Sequence, residues 1–453
     1  MKYLPLALLA LSLAVPAHAD PLADAADEAL ANDTLAWDFV EGITTEVGPR
    51  QAGTDAEARG RAWAVEWLRR QGFAAIAEEP YAMPTWVRGE ERAEIVAPFA
   101  QGMRITALGN SAATLAEGLT AQVVGFLSYA DLEAAPAGSL AGKIAFINHD
   151  MRATQDGSGY GFAGPARWTG PALAASKGAV ATVISSIGTE NHRTPHTGGT
   201  TFPEGVSPIP AGALSNPDAD NLERMLSRAG ERPVTMQLVL TPRWLGETQS
   251  GNVVAQITGS DAALPPVLVA CHLDSWDLGT GAIDDASGCG IIAAAAKAVA
   301  SSGQPLRTIR ILFAGAEEVG IHGGNAYAAA HADEPIGAAL ESDFGADRIW
   351  RLDSNFHESN PDLHRRLVQS VARFGVAGSA LEASGGADIG IARDQQTAIL
   401  DLQQDGTRYF DLHHTPDDTL DKVDPAQLRQ NVAVWTQVLG ILANEPGAIK
   451  PAG

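Results

Sequence analysis

From residue 252 onward, short apolar runs of strand-like composition alternate with helical segments, and the polar residues that follow those runs are mostly acids and histidines. That alternation constrains the fold more than any other feature of the chain. It points to an α/β sheet, with ionisable groups at strand ends, where open α/β sheets place their chemistry. Strands are expected over 253–257, 267–271, 309–313, 338–343 and 398–402, and helices over 286–301, 324–331 and 425–443.

Earlier segments differ in texture. Residues 22–46 and 55–72 read as helices; in the second, Trp63, Ala64, Trp67 and Leu68 make an apolar stripe and Gly72 is a stop. Pro80, Pro84 and Pro98 argue that 73–108 is extended. Between 111 and 243, strand-like runs (121–127, 143–148, 181–185 and 235–240) alternate with loops rich in Gly and Pro. Helices are expected at 171–177 and 217–229, and a long loop at 186–209. The expected organisation is an α/β domain made of 20–110 and 244–453, with a β-rich module inserted over 111–243.

Residues 1–19 read as an export signal: Lys2 is followed by an apolar stretch from Leu4 to Val15 and by Ala17-His18-Ala19. The stretch is too short to span a bilayer, so no membrane anchor is expected. The chain of 453 residues carries 31 Lys and Arg against 54 Asp and Glu, a net charge of −23. Such a surface repels nucleic acid and anionic lipid. Two cysteines, Cys271 and Cys289, flank the acidic region. Export permits them to pair, and burial as free thiols is equally ordinary. On a strand, Cys271 points away from its neighbour His272.

Chemistry concentrates in a few short motifs. In His272-Leu273-Asp274 both polar side chains face one way, so Asp274 is placed to hold the second nitrogen of His272. Asp284-Asp285 precedes a helix. One of the two is explained as a cap, but the glycine-rich apolar loop before them leaves the other costly without a cation. Glu317-Glu318 follows an apolar strand, where one acid suits a ligand and its neighbour a general base. Asp343 ends the next strand, and His414 lies in His413-His414-Thr415-Pro416-Asp417-Asp418-Thr419. Hydrolysis of an amide needs an activated water, a Lewis acid and a proton shuttle, which this set is able to supply.

In this order the motifs resemble the M28 metallopeptidases, co-catalytic dizinc exopeptidases. More narrowly, His272-Leu-Asp-Ser-Trp-Asp277, Pro195-His-Thr-Gly198, Ile209-Pro-Ala and Tyr409-Phe resemble the carboxypeptidase Q-like branch. The resemblance covers nearly the whole mature chain. It implies a mixed-sheet α/β/α sandwich with an inserted protease-associated domain, and two Zn2+ per chain. One ion is held by His272, Asp284 and Asp343, the other by Glu318, Asp284 and His414. It further implies Glu317 as general base and then acid, Asp274 behind His272, and a cis peptide bond after Asp284. Short peptides are the implied substrates, with homodimerisation left open.

The chain also departs from that pattern. Gly386-Ala387-Asp388 stands where many relatives have Ser-Asp and a nearby aromatic, and Asp411 and Leu412 replace aromatics before the double histidine. Both bear on substrate selection. His413 reads as structural. Arg408, Tyr409 and His196 are candidate substrate contacts, with a solvated loop as the other reading of His196. Dipeptidase or carboxypeptidase action leads. An aminopeptidase, an inactive binding homologue and a one-zinc glutaminyl cyclase are the alternatives.

Overall fold

A computed structural model describes residues 20–451; the export signal expected over 1–19 lies outside them. Two eight-stranded sheets organise the chain. The first runs Ala74–Val87, Arg243–Ile257, Ile309–Ala314, Val267–His272, Ala338–Glu341, Ala398–Gln404, Ile349–Ser354 and Ala377–Gly378. Its centre is parallel and its flanks include antiparallel pairs, so the sheet is mixed.

The buried runs divide their side chains between two apolar layers. Val267, Val269 and Cys271 enter one, Leu268 and Ala270 the other, as strand alternation requires. The first layer is closed by the helices Leu35–Glu46, Asp55–Arg70, Ser287–Ser302 and Pro425–Ala443 through Phe39, Trp67, Ile291 and Val432. The second is closed by His322–Ala330 and Gly390–Asp394 through Tyr327 and Ile391. The result is the expected α/β/α arrangement.

Several local expectations change. The helix read over 22–46 is two helices, Pro21–Asn32 and Leu35–Glu46. They break at Asp33, whose carboxylate accepts from the Ala36 N–H at 3.2 Å and starts the second. The strand read over 253–257 begins ten residues earlier, at Arg243, and pairs along its length with Ala74–Val87. Its first half is exposed and its few apolar residues, Trp244 and Leu245, are adjacent rather than alternating, so hydrophobic periodicity does not mark it. The strand Ile349–Ser354 and the helix Pro361–Val371 were not expected, although Leu363, Leu367 and Val371 give the helix an apolar stripe at helical spacing.

The second sheet runs Gln101–Met103, Glu91–Ala97, Thr235–Leu240, Leu119–Phe126, Ile144–Ile147, Ala181–Ser185, Ala211–Leu214 and Ile105–Ala107. It therefore draws on residues from 91 to 240, starting before the expected boundary at 111. Glu91–Ala97 pairs with Thr235–Leu240 across a large sequence separation, which no local pattern reveals. Cys271 and Cys289 form a disulfide that ties the strand Val267–His272 to the helix Ser287–Ser302. Among the described residues no helix is long and apolar enough to cross a membrane.

Candidate metal centre

The loop entering the helix Ser287–Ser302 separates its two acids by task. Asp285 caps the helix, accepting from the Gly288 N–H at 3.0 Å and from the His272 N–H at 3.3 Å. Asp284, joined to it by a cis peptide bond, faces the other way. Its Oδ1 lies 3.0 Å from His272 Nε2, and its Oδ2 lies 3.3 Å from His414 Nε2. That Oδ2 is buried and accepts no hydrogen bond among the described residues. Two groups support the loop from behind. The Asp418 carboxylate accepts from the Ile283 and Asp284 N–H groups at 2.6 and 3.2 Å. The buried Arg50 guanidinium donates to the carbonyls of Gly48, Leu273, Thr280 and Gly281.

The remaining donors arrive from separate strand ends. Asp343 Oδ1 lies 3.4 Å from His272 Nε2, and Glu318 Oε2 lies 2.9 Å from His414 Nε2. One donor atom from each of His272, Asp284 and Glu318 falls within 4.8 Å of the others. Asp285 groups with His272 and Asp343, and His413 with Asp284 and His414, by the same measure. Asp285, however, already accepts two hydrogen bonds, so it is a poorer donor to an ion. His272 Nδ1 donates to the Asp274 carbonyl at 3.0 Å rather than to the Asp274 carboxylate, which is 3.6 Å away. The Asp274 carboxylate instead accepts from the Glu317 N–H at 3.0 Å, so it also fixes the expected base.

Charge balance shows what kind of ligand the cluster suits. Burial by itself would lower the histidines, yet the carboxylates of Glu318 and Asp284 lift His414 to about 9, and Asp343, Asp274 and Asp284 raise His272 well above its usual range. Desolvation holds Glu317 well above the carboxylate range, with Asp343, Asp388 and Glu318 adding to it. Burial also raises Glu341 to about 8 and Asp418 to about 7. Without a cation, protons on the imidazoles and acids must neutralise this excess negative charge. Imidazole and carboxylate donors around an unsatisfied Asp284 oxygen fit divalent metal.

Asp284, Glu317, Glu318, Asp343 and His414 line one cavity of about 420 Å³, closed on its far side by Tyr160, Arg167, Trp168 and Thr201 from the second-sheet module. Of the candidate substrate contacts, Tyr409 lines it. Arg408 does not; it is paired with Asp347 at 2.6 Å and donates to the Lys422 carbonyl. His196 is fully buried rather than solvated. Its Nδ1 donates to the His413 carbonyl and its Nε2 meets Glu190, both at 2.7 Å, leaving no nitrogen for a substrate. His413 is pushed well below the usual histidine range by burial and by His414, stacked at 3.4 Å between ring centroids, consistent with a structural part.

Arg167 was missed. It sits in a segment of Gly, Pro and Ala with no periodic signal, and only the folded chain brings it to the cavity. No carboxylate pairs with it among the described residues, and its Nε is buried without a partner. It lies 5.3 Å over the Tyr160 ring and donates to the Tyr160 hydroxyl, and its Nη1 lies 3.4 Å from His414 Nδ1. Gly198, at φ 139°, passes so close that a Cβ there would lie 2.4 Å from the guanidinium, which explains the glycine after Pro195-His-Thr.

Residues 252–439 match Peptidase family M28. Carboxypeptidase Q of Bos taurus is 33% identical over 409 residues, spanning 89% of this chain and 84% of that protein. The crystal structure of a peptidase M28 precursor from Shewanella amazonensis is 43% identical and superposes with a TM-score of 0.91, covering 95% of this chain and 98% of the other. A zinc aminopeptidase from Bacillus subtilis, 19% identical over 92% of this chain and 97% of its own, shares the fold with a TM-score of 0.64.

Proposed function

Because the chain belongs to peptidase family M28 and is a zinc metallopeptidase, we propose that it is an exported two-zinc exopeptidase acting on dipeptides or short peptides from the carboxyl side. The observation that carries the two-ion reading is Asp284, whose two oxygens face His272 and His414 separately. In this reading Asp284 would be shared by both ions, with His272 and Asp343 holding one and Glu318 and His414 holding the other. Zinc held there would supply Lewis acidity towards a water and towards the scissile carbonyl. Glu317 takes the water's proton on its carboxylate and delivers it to the leaving amine. Its N–H is tethered to Asp274, which keeps that carboxylate aimed into the cavity.

Arg167 favours the carboxyl direction. A guanidinium in a cavity wall without an acidic partner is costly until an anion arrives. The α-carboxylate of a short peptide is such an anion. The acids lining the cavity are Asp284, Glu317, Glu318 and Asp343, each occupied as a metal ligand or as the base, so none remains for a free α-amine. The relatives named carboxypeptidase Q agree with this direction.

Product analysis on unblocked dipeptides and tripeptides, beside an aminoacyl p-nitroanilide and a metal count on the same sample, tests the proposal. Two zinc ions per chain and turnover of the free peptides are expected. In Arg167→Met, KM for free dipeptides should rise about 10–100-fold, the loss of a charge-assisted contact, with little change for amide-capped peptides. Turnover of the anilide alone would assign an aminopeptidase, and one ion per chain would reject the two-ion site. Residues 1–19 are proposed to be removed on export, which N-terminal sequencing of the secreted protein checks.

A further inference from the structure

His414 is the one proposed ligand whose geometry is set by the second-sheet module. Its backbone sits at φ 62°, a left-handed conformation that non-glycine residues adopt only when held there. The holding contacts come from the module, chiefly from the segment Pro195-His196-Thr197, with Arg167 Nη1 also 3.4 Å from His414 Nδ1. The Thr197 N–H donates to the His414 carbonyl at 3.1 Å, and His414 Nδ1 donates to the Thr197 carbonyl at 3.2 Å. The first bond fixes the backbone. The second orients the ring so that Nε2 faces Glu318 and Asp284. His196 adds a third tie, to the carbonyl of His413.

Thr197 is in turn anchored within its own module and, through Arg88, to the peptidase half. Its hydroxyl donates to the Ala107 carbonyl at 2.8 Å and accepts from Arg88 Nη2 at 3.0 Å. Arg88 grips the Asp277 carboxylate through Nε and Nη2 at 2.8–3.0 Å, and donates to Glu91 at 2.7 Å. Asp277 closes the motif that begins at His272. The chain of contacts Asp277–Arg88–Thr197–His414 therefore joins the two halves of the centre through the inserted module. His272 has no such dependence: its Nδ1 partner is Asp274, two residues away on the same segment.

We infer that Thr197 and Arg88 are positioning residues for the metal centre, and that they support the ion held by His414 and Glu318 selectively over the one held by His272 and Asp343. The inference rests on the two-ion reading of the centre. It assigns the inserted module a part in building one metal site, in addition to walling the cavity. Groups that orient a ligating histidine through its second nitrogen typically change metal affinity by about 10–100-fold when lost.

The test is zinc competition with a chromogenic chelator on the full chain, comparing wild type, Thr197→Val and Arg88→Met. Thr197→Val keeps the shape of the side chain and removes only the hydroxyl, so it remains informative if Arg88→Met does not fold. In Thr197→Val, one ion should be released about tenfold or more readily while the second keeps its wild-type affinity. Thermal unfolding of the metal-free forms provides the control and should differ little between Thr197→Val and wild type. Equal weakening of both ions, or no change in either, overturns the inference. A wild type that binds fewer than two ions overturns the two-ion reading instead, so the two failures are distinct.

Discussion

Glu317 and Glu318 are adjacent in sequence and face different tasks. Glu318 lies 2.9 Å from His414 Nε2, whereas no histidine stands within salt-bridge distance of Glu317 among the described residues, and Asp274 holds its backbone. Glu317→Gln keeps the shape and removes the basic oxygen. It should lower kcat by about 10²–10⁴-fold, the usual contribution of a general acid–base group, with zinc content unchanged. Steady-state kinetics beside elemental analysis checks this; activity within a few-fold of wild type would remove Glu317 from the reaction. At this scale the sequence was clear about the acids and histidines, because unpaired ionisable groups after apolar strands are hard to explain otherwise. It was blind to Arg167, Arg50, Arg88 and Thr197, whose roles come from partners far away in the chain. Arg408, a candidate substrate contact, is likewise decided by a distant partner: its pairing with Asp347 turns it away from the cavity.

At the scale of elements, the site depends on strand ends held in register by the helical layers. The helix Asp55–Arg70 is fixed by Trp67, which is fully buried. Its ring meets Phe39 edge-on at 4.9 Å, and its Nε1 donates to Asp38 at 2.8 Å. Trp67→Ala should destabilise the fold by about 3–5 kcal/mol, as large-to-small changes of buried aromatics do. Urea unfolding measures this, and the metal stoichiometry of the folded fraction should stay at the wild-type value. A loss below about 1 kcal/mol would mean that the layer repacks around the cavity. The apolar helices and central strands were legible because their periodicity reports the face they bury. Arg243–Ile257 was shortened because half of it is exposed and shows no alternation, and its length is decided by pairing with Ala74–Val87.

For the whole molecule, the excess of buried acid links stability to pH and metal. Without metal, Asp418 lies at about 7 against an ordinary 3.8, Glu341 at about 8 against 4.5, and His414 at about 9 against 6.5. In each case the folded chain retains a proton that the unfolded chain releases, so folding is favoured on the acid side and stability falls as pH rises. Over roughly pH 6.5–9, the melting temperature of the chelated protein should fall. The zinc-loaded protein should hold its melting temperature or gain, because metal takes the place of those protons and its binding strengthens as the ligands deprotonate. Differential scanning fluorimetry with and without chelator reads both; a chelated protein that gains stability over this range contradicts the charge argument.

Sequence alone determined the class of chemistry and the layered α/β frame, because both are written in local signals: apolar periodicity, and acids and imidazoles at the ends of buried runs. The cap role of one member of Asp284-Asp285 was legible for the same reason, since capping is a contact within a few residues. Tertiary structure alone decided which of the two acids caps and which faces the histidines. It also decided that Glu91–Ala97 belongs to the second sheet, that the two cysteines pair, and that the module's Thr197 and Arg167 reach the centre. Those outcomes depend on groups brought together from distant parts of the chain, or on the direction a side chain takes once its backbone is fixed, and no short-range pattern encodes either.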